Sequence, residues 1–307
     1  MTCYHPNQAH VTGLRASGTK ILKFGLPQKP DQESLQLKCG QCIGCRLDNS
    51  QTWAVRCMHE AQINEDNCFI TLTYDEENLS YDNSLINNHT KQFIKRLRRA
   101  VAPTTVRYLL CGEYGPSVGK RPHYHALLFG YDFPDLELFQ ENEGIFTYTS
   151  KLLSSIWGKG FCTVQDLTLA SAAYVARYSL KKITGENAHA HYETICKTTG
   201  EIRSLTKEYV NMSTKPGIGR DWYTKYHSDI FPHDTTIYKG KRINTPRYYE
   251  TLLRSHDEQL YTEIKTRRKA NAIKHAENNT PSRLQVREII KKRQYYDNTT
   301  RKLHDET

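Results

Sequence analysis

His123-Tyr124-His125 sets two imidazoles two residues apart, and further along Tyr174 and Tyr178 stand four apart in Tyr-Val-Ala-Arg-Tyr-Ser-Leu-Lys-Lys. On a β-strand, residues two apart project from one face, so both rings can hold one metal ion. On a helix, residues four apart share a face, so both phenols can reach one target. A phenol, with a pKa of about 10, is a poor nucleophile at neutral pH unless its target is polarised or its proton is removed. A divalent ion on a phosphate oxygen supplies that polarisation. The chemistry is attack on a phosphodiester, leaving a phosphotyrosine bond that a 3′-hydroxyl can later reverse without ATP. With two tyrosines, one can hold a strand while the other cuts.

The face that carries His123 and His125 continues with Leu127 and Phe129, so the imidazoles end an otherwise apolar side. In the preceding strand Leu109 and Cys111 share a face with Glu113, and a hairpin joining the two strands brings that carboxylate beside the rings. Two His and one carboxylate leave positions open for a phosphate oxygen, and the donor set alone does not separate Mg²⁺ or Mn²⁺ from Zn²⁺. Lys181 and Lys182 flank the side of the tyrosine helix that carries the phenols. Lys182, four after Tyr178, is the better placed to offset phosphate charge or to carry a proton at the leaving oxygen. Taken singly, each pattern has a plainer reading. A His-x-His is more often a hydrogen-bonded pair, and in a chain of 20 tyrosines a Tyr-x-x-x-Tyr is an ordinary helix-surface pair.

Cys39-Gly-Gln-Cys42-Ile-Gly-Cys45 supplies three thiols and needs a fourth ligand for a tetrahedral Zn²⁺ site. Cys3 is the natural fourth, with His5 as substitute, and free or iron-sulfur cysteines are the alternative. Cys57, Cys68, Cys111, Cys162 and Cys196 read as core residues.

The elements that must position these groups follow from periodicity. The cysteine turn feeds a helix marked by Trp53, Ala54, Cys57, Met58 and Ala61, with Asn49 or Ser50 as its N-cap. Cys68 to Tyr74 is a buried strand. Phe93, Ile94, Leu97 and Val101 mark one face of a basic helix that carries Lys95, Arg96, Arg98 and Arg99 and is capped by Thr90. Residues 106–112 and 123–130 form an antiparallel hairpin across a connection rich in turn formers. Leu152, Leu153, Ile156 and Trp157 mark a helix ended by Gly158 and Gly160, and residues 161–167 a further strand. On the tyrosine helix the stripe Ala173, Ala176, Leu180 and Ile183 is read as the core face, which turns Tyr174 and Tyr178 outward. Ser213 to Gly219 is a loop, followed by a helix with Trp222, Tyr223 and Tyr226. From about residue 250 the chain is polar, basic and helical, with one cluster at Lys265, Arg267, Arg268 and Lys269 and another at Lys291, Lys292 and Arg293.

At 307 residues the chain accommodates one catalytic core with additions. A net charge of +10 and a pI near 9.0 suit a polyanionic partner, although charge alone does not identify one. Nine cysteines is an odd number, and the N-terminus has no apolar stretch of signal-peptide type, so a reducing cytoplasm is expected. No run has the ~18 to 20 apolar residues that cross a bilayer, and no internal repeat is present.

Several stretches stand in a fixed order: Cys-Gly-Gln-Cys-Ile-Gly-Cys-Arg at 39–46, Phe-Ile-Thr-Leu-Thr-Tyr at 69–74, Cys-Gly-Glu-Tyr-Gly at 111–115 and Arg-Pro-His-Tyr-His-Ala-Leu-Leu-Phe-Gly at 121–130. Ala-Ala-Tyr-Val-Ala-Arg-Tyr at 172–178, with Lys181 and Lys182, and Pro-Gly-Ile-Gly at 216–219 complete the set. Together they resemble the replication initiation proteins of small single-stranded DNA phages, the microviruses (Microviridae), in particular the gokushovirus type. The resemblance runs from the N-terminus to about residue 250, and residues 250–307 match no family known to us.

It implies an α+β fold of the HUH endonuclease superfamily: a central antiparallel sheet of ferredoxin-like or RRM-like topology, flanked by helices, with the histidine strand central and the tyrosine helix beside it. An N-terminal cysteine-rich zinc element (1–66) would precede the catalytic domain (67–250) and a basic tail (251–307). His123, His125 and Glu113 would then bind catalytic Mg²⁺ or Mn²⁺, and Tyr174 and Tyr178 would be the nucleophiles. Tyr124 stands where the family usually has a hydrophobic residue. The implied activity is rolling-circle replication in the cytoplasm of an infected bacterium, by nicking and strand transfer at the viral origin. The DNA would be both supercoiled duplex and single-stranded, with a host helicase and replisome as candidate partners and no membrane. A two-tyrosine HUH transposase or plasmid replication initiator shares the chemistry. A zinc-containing, non-catalytic nucleic-acid-binding protein is the alternative of another class.

Overall fold

The computed structural model describes residues 3–16, 18–115, 121–178, 191–195, 200–238 and 240–304. Leu180, Lys181, Lys182, Ile183 and Cys196 lie outside them, as does the side chain of Tyr178. The chain divides into two compact units, Met1–Asn49 with Leu253–Thr307, and Ser50–Leu252. The first contains a small sheet of β1 (Asn7–Leu14), β2 (Lys20–Phe24) and β3 (Ser34–Leu37), ordered β2-β1-β3. The boundary falls within α1 (Ile43–Gln62), whose first turn contains Cys45.

In the unit Ser50–Leu252, β4 (Asn67–Thr73), α2 (Asn87–Ala100), β5 (Arg107–Tyr114) and β6 (Pro122–Phe129) come first. They are followed by β7 (Leu136–Asn142), β8 (Ile145–Ser150), α3 (Lys151–Trp157), β9 (Cys162–Asp166) and α4 (Leu169–Tyr178). Next come β10 (Glu193–Ile195), β11 (Ile202–Ser204), β12 (Tyr209–Met212) and α5 (Arg220–Tyr226). The hairpin β13 (Thr235–Tyr238) and β14 (Lys241–Asn244) precedes α6 (Arg247–His256), which crosses back over the boundary. The last two helices, α7 (Glu258–Lys274) and α8 (Pro281–His304), carry the two basic clusters of the C-terminal stretch. Among the described residues no helix is long and apolar enough to cross a membrane.

Seven strands form one antiparallel sheet in the order β12-β5-β6-β4-β9-β8-β7, with the histidine strand β6 in its interior. Strand alternation sorts its side chains onto two faces. One face packs Ile70, Leu72, Leu110, Tyr124, Ala126 and Leu128 against Phe93 and Leu97 of α2 and Leu153 and Trp157 of α3. The other packs Phe69, Leu109, Cys111, Leu127 and Phe129 against Ala54 and Cys57 of α1 and Ala172 and Val175 of α4. With both faces covered, β4, β5 and β6 read as near-continuous apolar runs, and each fully buried Leu or Phe contributes about 1.5 to 3 kcal/mol. Cys57, Cys68, Cys111 and Cys162 are buried, as expected of core cysteines.

Three local expectations are corrected. Asn49 and Ser50 do not cap α1, which starts at Ile43; Ser50 lies inside the helix, and its hydroxyl donates to the Ala173 carbonyl at 3.0 Å. Thr90 does not cap α2, because the helix starts earlier, after Ile86; the Tyr124 hydroxyl accepts from the Ile86 N–H at 2.9 Å and serves that end instead. The buried face of α4 is Ala172, Val175 and Ala176 rather than an Ala173–Ala176 stripe. That rotation leaves Tyr174 half-buried against the sheet instead of facing away from it.

Candidate active site

The β5–β6 register sets Glu113 opposite His123 and Cys111 opposite His125. All four side chains share the face on which α4 packs. Glu113 Oε1 lies 2.7 Å from His123 Nε2 and 3.0 Å from His125 Nε2, and the Tyr174 hydroxyl donates to the same oxygen at 3.2 Å. The His125 ring is flanked by Phe69, stacked at 5.4 Å between centroids, and by the edge of Tyr174 at 5.1 Å. The Arg177 guanidinium lies 6.0 Å from the Tyr174 ring centre. Glu113 is 2 % exposed and His125 8 %, whereas His123 is 18 % exposed, so the site opens at His123.

The outer nitrogens of both rings determine what the inner ones can do. His123 Nδ1 lies 3.2 Å from the Arg121 carbonyl, which can only accept, so Nδ1 carries the proton and Nε2 presents a lone pair. His125 Nδ1 lies 3.0 Å from the Thr71 hydroxyl, which can accept in the same way. Two imidazole lone pairs and a carboxylate oxygen then converge, with their donor atoms within 4.8 Å of one another. This donor set suits a divalent cation, with outer partners of the kind that fix metal-ligating histidines. Burial raises the Glu113 pKa, but hydrogen bonds and charge from His123 and His125 outweigh it, so the carboxyl is held below its ordinary value.

Thr71 carries no signal in the sequence beyond a polar residue in an apolar strand. Lys182 and the Tyr178 side chain lie outside the described residues, so of the proposed reacting groups Tyr174 is the one seen at the metal-ligand cluster.

Cys3, Cys39, Cys42 and Cys45 also bring their sulfurs within 4.8 Å of one another. Backbone N–H groups point at them: Cys39 N to Cys3 Sγ, Cys42 N to Cys39 Sγ and Tyr4 N to Cys42 Sγ, each at 3.3 Å. For Cys39, burial raises the pKa, but the N–H groups of Cys42 and Gln41 more than offset it and bring it down to about 7. A thiolate cluster of this kind is suited to a tetrahedral metal. His5 does not join it; its Nε2 lies 2.7 Å from Glu288.

Behind the sheet the Pro216-Gly-Ile-Gly219 loop is tied down by α1. Arg56 donates twice to the Ile218 carbonyl, at 3.0 and 2.9 Å, and Glu60 accepts from the Gly219 N–H at 2.6 Å and pairs with Arg107. Gly219 adopts φ +80°, and a Cβ there would collide with the Tyr249 hydroxyl. His59 is buried between Trp222, stacked at 3.5 Å, and Tyr249, whose hydroxyl is 2.9 Å from Nδ1. Burial pushes the His59 pKa down to about 3.

A family model for replication-associated proteins of the ORF2 kind matches residues 67–183, the stretch that holds β4, β5, β6, β9 and α4. The chain is 31 % identical over 286 residues to the replication-associated protein VP4 of Bdellovibrio phage phiMH2K, covering 90 % of this chain and 85 % of that one. It is 32 % identical over 318 residues to the replication-associated protein ORF2 of Spiroplasma virus 4, covering 97 % and 92 %. It is 30 % identical over 243 residues to the replication-associated protein ORF4 of Chlamydia phage 1, covering 76 % and 58 %. The Spiroplasma virus alignment therefore extends into the basic C-terminal stretch, for which the sequence alone named no relative. No solved structure matches the chain significantly. With two relatives above 30 % identity along most of both chains, this protein belongs to the microvirus-type phage replication-associated proteins.

Proposed function

We propose that this protein is a metal-dependent, site-specific DNA nickase and strand transferase that initiates rolling-circle replication at the viral origin. The observation that carries this reading is the contact of the Tyr174 hydroxyl with Glu113, the carboxylate that also meets both histidines. A nucleophile for phosphorus thus stands at a three-ligand cation site. The order β4-α2-β5-β6-α3-β9, with its strands lying side by side as β5-β6-β4-β9, supports a ferredoxin-like, HUH-type core.

His123, His125 and Glu113 would hold Mg²⁺ or Mn²⁺, which when bound polarises the scissile phosphate and offsets its charge. Tyr174 Oη attacks phosphorus, the bond to the 3′ oxygen breaks, and its electron pair stays on that oxygen. The phenol loses its proton to water and the 3′ oxygen gains one, a transfer we assign to Lys182. The 5′ end remains on Tyr174, the free 3′-hydroxyl primes synthesis, and Tyr178 makes the second cut that lets the displaced strand be circularised. Phe69 and His125 hold the Tyr174 ring from two sides, which limits the rotamers the nucleophile must give up. The four cysteines would hold structural Zn²⁺. The partner is origin DNA in the cytoplasm of the infected host, first as supercoiled duplex and then as single strand, with a host helicase and replisome joining later.

Incubation with supercoiled phage DNA and Mn²⁺ tests the reading. Relaxed DNA with protein on one 5′ end is expected. Tyr174→Phe or Tyr178→Phe alone should leave some nicking, and the double change should abolish the adduct; an adduct that persists in the double variant would refute these nucleophiles.

A further inference from the structure

The sheet face that carries the candidate site is covered by helices over only part of its width. α1 and α4 pack on β4, β5 and β6, while on the same face further along the sheet Thr163 and Gln165 of β9 and Thr147 of β8 are only half-buried. Phe161 lies on this face. Cys162 and Val164 point into the opposite core, so strand alternation turns the residue before Cys162 toward the site's side. Its carbonyl accepts from the Thr73 N–H at 3.0 Å, and Thr73 is the Cα partner of His123. Glu113, His123, Thr73 and Phe161 therefore form one row across β5, β6, β4 and β9. Two interstrand steps separate Phe161 from His123, a distance of about 10 Å.

Phe161 is 49 % exposed and Phe139 55 %, and their rings lie against each other with centroids 5.2 Å apart. Phe139 sits where the β7–β8 register shifts, between Leu138 and Gln140, and a bulge re-aims the side chain of its extra residue. Isolated exposed apolar residues need no explanation. Two phenyl rings placed side by side, one of them by a bulge, at the end of the sheet where the metal ligands open to solvent, form a feature with a direction. A phosphate at His123 would bring the neighbouring bases over this row.

We propose that Phe161 and Phe139 form a stacking platform for the bases of a single DNA strand whose scissile phosphate lies at the Glu113–His123–His125 cluster. The proposal rests on the DNA-cleaving reading above and extends it to substrate form. Stacking on aromatic rings accepts any base, because every base has a π-face, and it requires that base to be unpaired. The platform therefore selects melted or single-stranded origin DNA over closed duplex and leaves sequence choice to other residues. The half-buried threonines around it offer hydroxyls to the backbone of the same strand.

The test uses the full chain and oligo-dT carrying one 2-aminopurine, whose fluorescence is quenched when it stacks. Wild type should quench the probe. Phe161→Ala and Phe139→Ala should each weaken single-strand affinity about tenfold, in line with the loss of one stacked base, and leave affinity for closed duplex unchanged. Phe161→Trp should retain quenching, whereas Phe161→Leu, which keeps bulk but lacks a π-face, should not. Unchanged single-strand affinity in the double alanine variant would overturn the platform, as would a double variant that only dissociates an oligomer of this chain. Covalent adduct formation by wild type is scored in parallel. Its absence counts against the nickase reading alone, since the affinity comparison needs no cleavage.

Discussion

Thr71→Val removes one hydroxyl from the site and almost nothing else. Thr71 lies on β4 beside His125 in the register, and its Oγ1 is 3.0 Å from His125 Nδ1. Valine has nearly the same shape and suits a strand, so the sheet should be retained. What is lost is the acceptor that keeps the proton on Nδ1 and the lone pair on Nε2, where Glu113 and His123 also point. Outer-shell partners of metal-bound histidines are typically worth 10- to 100-fold in affinity, or about 1.4 to 2.7 kcal/mol. Calorimetric titration with Mn²⁺ should therefore show the dissociation constant rising by about 10- to 100-fold, with Thr71→Ser close to wild type. Nicking by Thr71→Val should recover at saturating Mn²⁺, because the nucleophile and ligands are intact. An unchanged Mn²⁺ affinity would refute the orienting role, and a loss of nicking that excess metal does not restore would place Thr71 in another step.

Two further perturbations test the scaffold. His59 ordinarily titrates near 6.5 and is pushed down to about 3 in the folded chain, so the folded state keeps it neutral while the unfolded state takes up a proton. The stability from this group is complete above about pH 6.5, declines as pH falls below it, and stops changing near pH 3. Between about pH 7 and about pH 4.5 the decline is about 2 to 3 kcal/mol, and urea unfolding of wild type against His59→Phe should show this difference in slope; parallel slopes would contradict it. At the cysteine cluster, elemental analysis should find a single bound Zn²⁺ that Cys42→Ser releases while His5→Ala retains it; zinc lost from His5→Ala and kept by Cys42→Ser would reverse the ligand assignment.

The candidate site was partly legible because it is built from a hairpin. Alternation along 109–113 and 123–129 assigns Glu113 and both histidines to one face, and an antiparallel connection between the strands brings them level. The position of Tyr174 was less legible. The alanine-rich segment 170–176 offers more than one small-residue stripe, and only packing on β5 and β6 selects Ala172, Val175 and Ala176. Thr71 and Phe161 could not be singled out, since their roles depend on which strands flank β4, a non-local choice. The β7–β8 hairpin left little apolar periodicity because most of its side chains are exposed; its local mark is the Glu143-Gly144 turn, with both φ angles positive. The ion pair between His5 and Glu288 joins segments from opposite ends of the sequence, and nothing local in either encodes it.

The most direct measurement is mass spectrometry of the protein–DNA adduct formed on phage origin DNA with Mn²⁺. The account predicts a nucleotide 5′-phosphate esterified to Tyr174, or to Tyr178 after second-strand transfer, and no adduct from the variant combining His123→Ala with His125→Ala. A phosphate carried on any other residue, or an adduct that forms without the two histidines, would contradict it.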